Sequence, residues 1–119
     1  MPRPRERIEQ EVGQFTVLEH DNVIVGCAAL YLLDNENAEL ACLAVDADHR
    51  EWGYGERLMQ AIEARARAQS VRRLYVLTTR TAHWFIERGY KPAKVEDLPD
   101  RKREMYNYHR NSKVFVKNL

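Results

Sequence analysis

The fold is decided by Glu39-Leu40-Ala41-Cys42-Leu43-Ala44-Val45 and, after a short polar stretch, Arg50-Glu51-Trp52-Gly53-Tyr54-Gly55. The apolar run Leu40–Val45 lacks polar alternation, and such a run suits a central strand covered on both faces. Residues 46–55 read as a polar, glycine-bearing loop, and Leu58, Ile62 and Ala66 then recur at helical spacing from Glu56 to about Ser70. Glycines at 53 and 55 let the backbone turn tightly and approach a ligand closely. The N–H groups and the dipole of the following helix favour an anion such as a pyrophosphate, and Arg50 adds a charge-assisted contact. By spacing alone the two glycines serve equally well as ordinary turn residues. A dinucleotide fold is disfavoured, because the pattern is not G-x-G-x-x-G and a hairpin precedes it. A P-loop is excluded, since no Gly-Lys-Ser/Thr follows.

Upstream, Pro4 suits the first turn of a short helix reaching Val12, with Ile8 and Val12 on one face. Phe15–Glu19 and Val23–Leu32 read as strands joined by a tight Asp21-Asn22 turn. Asp34–Asn37 is a polar loop and Ala38–Val45 the third strand. Downstream, Leu74–Thr79 is a fourth strand and Thr81–Arg88 a short helix stopped by Gly89. Asp97–Asp100 is a turn, Arg101–Tyr106 is helical and Lys113–Lys117 alternates like a strand. Strands alternating with helices after an opening hairpin make a mixed α/β domain, and residues 1–119 form a single one.

The 119 residues suffice for one modest core. With 45% apolar and 31% charged residues and a net charge of +1, the chain has no global field for nucleic acid or an anionic membrane. No apolar run approaches the roughly 20 residues that span a bilayer, and the basic N-terminus lacks the apolar core of a signal peptide. Cys27 and Cys42 lie in apolar runs and read as reduced, buried residues of a cytoplasmic protein. His20, His49, His83 and His109 are scattered without ligand spacing, so no metal is expected. Arg65, Arg67, Arg72 and Arg73 read as a solvated face.

The hairpin, the apolar strand, R-x-x-G-x-G and the long helix together resemble the GNAT superfamily of N-acetyltransferases. The segments Glu39–Val45, Gly53–Leu58, Leu77–Phe85, Glu87–Tyr90 and Arg110–Ser112 are further similar to the acetyltransferase domain of the bacterial N-acetylglutamate synthases. The resemblance covers nearly the whole chain. It implies the GNAT acyl-CoA N-acyltransferase fold without its first strand and first helix. It also implies the absence of the amino-acid kinase domain that carries arginine regulation in two-domain relatives. Without that first strand the Phe15–Glu19 edge stands open, which invites pairing with another chain as a homo-oligomer.

The implied reaction moves the acetyl group of acetyl-CoA to the α-amino group of L-glutamate by direct attack, the first step of arginine biosynthesis. The resemblance assigns the pantetheine arm and thioester carbonyl to the backbone of Leu43, Ala44 and Val45, and the pyrophosphate to Arg50, Gly53, Tyr54 and Gly55. Glu39 is the implied general base, Thr78 the implied acid toward the thiolate and Tyr106 a second candidate acid. Read without the resemblance, Glu39 is a carboxylate near a strand start, Thr78 a β-branched strand residue and Tyr106 a packing residue. Glutamate brings two carboxylates, and the resemblance supplies Arg3 and Arg110 to bind them, with Ser112 and the Cys42 region completing the pocket. Two alternatives stand beside this. One is acetylation of another small-molecule or protein amine. The other is a non-catalytic module that binds coenzyme A or a partner chain.

Overall fold

A computed structural model of the chain describes residues 6–78, 80–99 and 113–119; for residues 6–12, 50, 51 and 95 it describes the backbone alone. In chain order the elements are β1 (Glu6–Val12), β2 (Phe15–His20), β3 (Val23–Leu32), β4 (Asn37–Val45), α1 (Tyr54–Ala68), β5 (Arg73–Thr78), α2 (Ala82–Ile86), β6 (Lys91–Ala93) and β7 (Lys113–Asn118). They fall into two compact units, Met1–Tyr31 with Leu40–Arg65, and Leu32–Glu39 with Ala66–Leu119.

In the first unit the strand order is β1-β2-β3-β4. β1 and β2 are antiparallel, with Val12 opposite Phe15 across a two-residue link whose Gly13 has φ +61°. The expected helix from Pro4 to Val12 is therefore a strand over its described part. Ile8 and Val12 are four residues apart, and that spacing shares a face in a strand as well as in a helix. The deciding element is the left-handed Gly13, which closes a hairpin. β1 pairs along β2, so the Phe15–Glu19 strand is not the edge expected, and among the described residues β1 is the terminal strand of the sheet on that side. β2 and β3 form the expected hairpin, with Asp21 (φ +52°) and Asn22 (φ +67°) both left-handed as a type I′ turn requires.

Helix α1 buries Tyr54, Leu58, Met59, Ala61 and Ile62, one stripe at helical spacing. Each large member contributes about 1.5–3 kcal/mol by leaving water. Arg65 does not belong to a solvated face. Its guanidinium donates to the Thr16 hydroxyl (2.9 Å) and to the carbonyls of Gln14 (3.2 Å) and Gly13 (3.0 Å), tying α1 to the β1–β2 link.

In the second unit the first residues of β4 run parallel to β5 (Asn37 opposite Arg73, Glu39 opposite Tyr75), and β7 is antiparallel to both β5 and β6. Strand β6 was not expected; its Lys91-Pro92-Ala93 shows no alternation to detect. Tyr75, Leu98 and Val114 form a core cluster. The Tyr75 hydroxyl donates to the Asp97 carbonyl (2.9 Å), and burial raises its pKa. α2 buries Phe85 and ends as the sequence predicts. Gly89 has φ +96°, and the N–H of Tyr90 returns to the carbonyl of Phe85 (3.1 Å) in a Schellman closure. Arg73 is exposed as expected, and its Nε donates to Asn37 Oδ1 (2.8 Å). Arg67 and Arg72 are exposed as expected. No helix among the described residues is long and apolar enough to cross a membrane.

Candidate functional site

Within β4 the burial pattern changes character. Asn37, Ala38, Glu39 and Leu40 are buried, but Cys42 and Ala44 are exposed. The expectation of a strand covered on both faces thus holds for the first four residues and fails from Cys42 onward. The change coincides with Cys42, whose φ of +55° is a left-handed conformation uncommon for a non-glycine residue. Such a residue interrupts regular pleating and re-aims the backbone beyond it. The Cys27 thiol donates to the Cys42 carbonyl at 3.7 Å. Both thiols are free, and neither is fully buried, contrary to the sequence reading: Cys27 is half-buried and Cys42 exposed.

Beyond Val45 the chain is held closely. The N–H of Asp46 returns to the Val25 carbonyl (2.7 Å), and the His49 ring meets the Asp46 carboxylate (3.0 Å). The expected irregular loop is a 3₁₀ turn over Ala47–Trp52, ended by Gly53 at φ +76°. Helix α1 starts directly at Tyr54, earlier than Glu56, so Gly55 sits inside its first turn. A Cβ on Gly53 would meet nothing within 4 Å, so the space beside the turn is open. An open space beside a helix start, where N–H groups point outward, fits an anion.

Cys42, Leu43, Ala44, Val45, Gly53, Tyr54 and Gly55 thereby lie on one continuous strand–turn–helix segment of the first unit. Arg50 is in the 3₁₀ turn, and its side chain lies outside the described residues. Glu39 and Thr78 belong to the second unit. Glu39 is buried at 8% exposure, on the β4–β5 ladder opposite Tyr75. Thr78 closes β5, where its hydroxyl lies 2.7 Å from that of Thr81 and accepts from the N–H of Thr81 (3.1 Å). Arg3, Tyr106, Arg110 and Ser112 lie outside the described residues, as does the expected helix over 101–106.

The sequence reading missed the rings behind the turn. Trp52 lies against His20 and His49 with centroids 5.1 Å and 5.0 Å away, and Tyr54 stacks on His49 at 6.1 Å. Only His20's place before the Asp21-Asn22 turn and His49's inside the loop hinted at this, and neither names the other. Among the described residues no three His, Cys, Asp or Glu side chains gather as a metal site.

Comparison with known proteins bears on this segment directly. Residues 1–90 match the acetyltransferase (GNAT) family. The amino-acid acetyltransferase of Azotobacter vinelandii is 55% identical over 118 residues, which is 98% of this chain and 27% of that protein. That of Pseudomonas fluorescens is 53% identical with the same coverage, 98% and 27%. N-acetylglutamate synthase from Neisseria gonorrhoeae, in a crystal structure with coenzyme A and N-acetyl-glutamate, matches with a TM-score of 0.86 at 42% identity, over 89% of this chain and 26% of that one. The same enzyme in complex with coenzyme A and L-arginine matches at 0.84 and 40% identity, over 100% of this chain and 28% of that one. The chain thus spans about a quarter of the length of these relatives.

Proposed function

The chain belongs to the acetyltransferase (GNAT) family, and we propose that it transfers the acetyl group of acetyl-CoA to the α-amino group of L-glutamate. The observation that carries this reading is the segment from left-handed Cys42 to left-handed Gly53, which exposes one side of β4 and leads straight into α1. The likeness to a synthase bound to coenzyme A and N-acetyl-glutamate supports the choice of substrates.

In this reading the pyrophosphate rests on the Gly53-Tyr54-Gly55 turn, with Arg50 adding charge. The β4 backbone at Leu43, Ala44 and Val45 holds the pantetheine arm and polarises the thioester carbonyl. Glu39 takes the proton of the substrate ammonium, directly or through water, and the freed amine attacks the carbonyl carbon. The tetrahedral adduct collapses with cleavage of the C–S bond; Thr78 or Tyr106 gives its proton to the thiolate and regains one from the adduct nitrogen, directly or through water. Arg3 and Arg110 pair with the two substrate carboxylates, with Ser112 and Cys42 beside them. A biosynthetic role of this kind places the protein in the cytoplasm.

The test measures coenzyme A release with each of the twenty amino acids. Saturable turnover with glutamate well above glutamine is expected, because an acceptor with one carboxylate leaves a cationic partner unpaired. Equal rates with both overturn the glutamate assignment. Coenzyme A binding without turnover on any amine overturns the catalytic reading.

A further inference from the structure

The turn that carries Gly53 is flanked by two aromatic residues, and both are anchored to the same pair of imidazoles. Trp52 packs edge-on against His20 (5.1 Å, 82°) and His49 (5.0 Å, 67°), and Trp52 and Tyr54 meet at 5.6 Å. Tyr54 is 1% exposed, and its hydroxyl lies 3.2 Å from His20 Nδ1. The other nitrogen of His20, Nε2, is 3.4 Å from the Asp21 carboxylate. His49 Nδ1 in turn faces the Asp46 carboxylate at 3.0 Å. A rotation at Gly53 that swings Trp52 works against its ring contacts, and one that swings Tyr54 works against the Tyr54–His20 bond.

From this arrangement we infer that His20, at the end of β2, is a positioning residue for the cofactor turn, acting through Tyr54. In the tautomer with the proton on Nε2, on the side of the Asp21 carboxylate, Nδ1 accepts from the Tyr54 hydroxyl. Tyr54 is thereby fixed at the first helical position, and the backbone between Gly53 and Gly55 is set before coenzyme A arrives. The inference rests on the reading of this turn as the pyrophosphate site.

The experiment compares the wild-type protein with Tyr54→Phe, His20→Leu and His20→Gln, measuring coenzyme A binding by calorimetry and steady-state kinetics. Tyr54→Phe keeps the ring and removes one hydrogen bond, so coenzyme A affinity should fall about three- to tenfold. The KM for acetyl-CoA should rise by the same factor, with kcat at saturation and the acceptor KM unchanged. His20→Leu should do the same, while His20→Gln, whose amide oxygen accepts, should recover most of the loss. Wild-type affinity in Tyr54→Phe overturns the inference, and so does an equal fall of kcat and rise of both KM values. Should His20→Leu fail to fold, Tyr54→Phe decides alone. If wild-type protein binds no coenzyme A, the underlying reading of the turn falls and this inference with it. Binding that is unmoved by the variants sinks the positioning role only.

Discussion

Gly26 on β3 faces Leu58 of α1 so closely that a Cβ added to Gly26 would stand 2.8 Å from Leu58 Cδ1 and 3.2 Å from the Ala44 carbonyl oxygen. Leu58 is fully buried, so it has little room to yield, and the Ala44 contact is with backbone. Gly26→Ala should therefore destabilise the protein by ~1–3 kcal/mol, the range for overpacking. Chemical denaturation reads the loss. Leu58→Ala alone should cost ~2–5 kcal/mol through its cavity. The double variant should cost less than the sum, because one change makes room for the other. Strict additivity would show that the two residues do not compete for the same space.

Gly53 poses the opposite problem, with open space but a left-handed backbone. Replacement costs conformational energy rather than a clash, on the order of 1–2 kcal/mol for Ala. Gly53→Asn should be milder, since asparagine tolerates this region better than most residues. Gly53→Val should be worst for coenzyme A affinity, because a β-branched residue resists this conformation and its side chain projects into the open space. Calorimetry that ranks the three variants alike would remove the left-handed turn as a determinant of binding.

For Glu39 the expected signature is chemical. Glu39→Gln preserves shape on the β4–β5 ladder and removes the proton acceptor. Turnover should fall about 10²–10⁴-fold, the usual worth of a general base. Coenzyme A binding should be retained, and high pH should partly restore the rate. A variant as fast as wild type across the pH range would exclude Glu39 as the base.

A pH effect is expected at Asp34. Its carboxylate accepts from the Asn37 side-chain amide (2.8 and 2.9 Å) and from the N–H groups of Glu36 and Asn37 (both 2.8 Å). The Asn37 side chain is the main cause that lowers the Asp34 pKa below its ordinary value. A depressed folded-state pKa stabilises the fold above the unfolded pKa, and the contribution is lost as pH falls through the folded value. Asn37→Ala should move the Asp34 titration upward, as followed by NMR, and flatten the acid limb of stability. An unmoved titration would assign the shift elsewhere.

Much of this molecule was legible locally. The Asp21-Asn22 turn, the Leu58–Ile62 stripe and the Gly89 stop depend on backbone preferences and spacings within a few residues, and all three are realised. The turn at Gly53 was legible for the same reason, since glycine reports a required conformation, whereas Gly55, expected in the loop, lies inside the helix. Strand β1 was misread because apolar residues four apart satisfy both periods.

The sequence by itself determined the order of elements from β2 to α2, the glycine turn before the long helix and the family to which they belong, because periodicity, turn chemistry and motif order are properties of neighbours along the chain. Only the tertiary structure decided the rest. Cys42 is left-handed within an apolar strand, a conformation no local signal demands of cysteine. Gly26 is small because Leu58 and Ala44 crowd it. Tyr54 meets His20 across 34 positions of sequence. Contacts between residues so far apart are set by how the elements pack, and packing is a condition on the whole core rather than on any stretch of it.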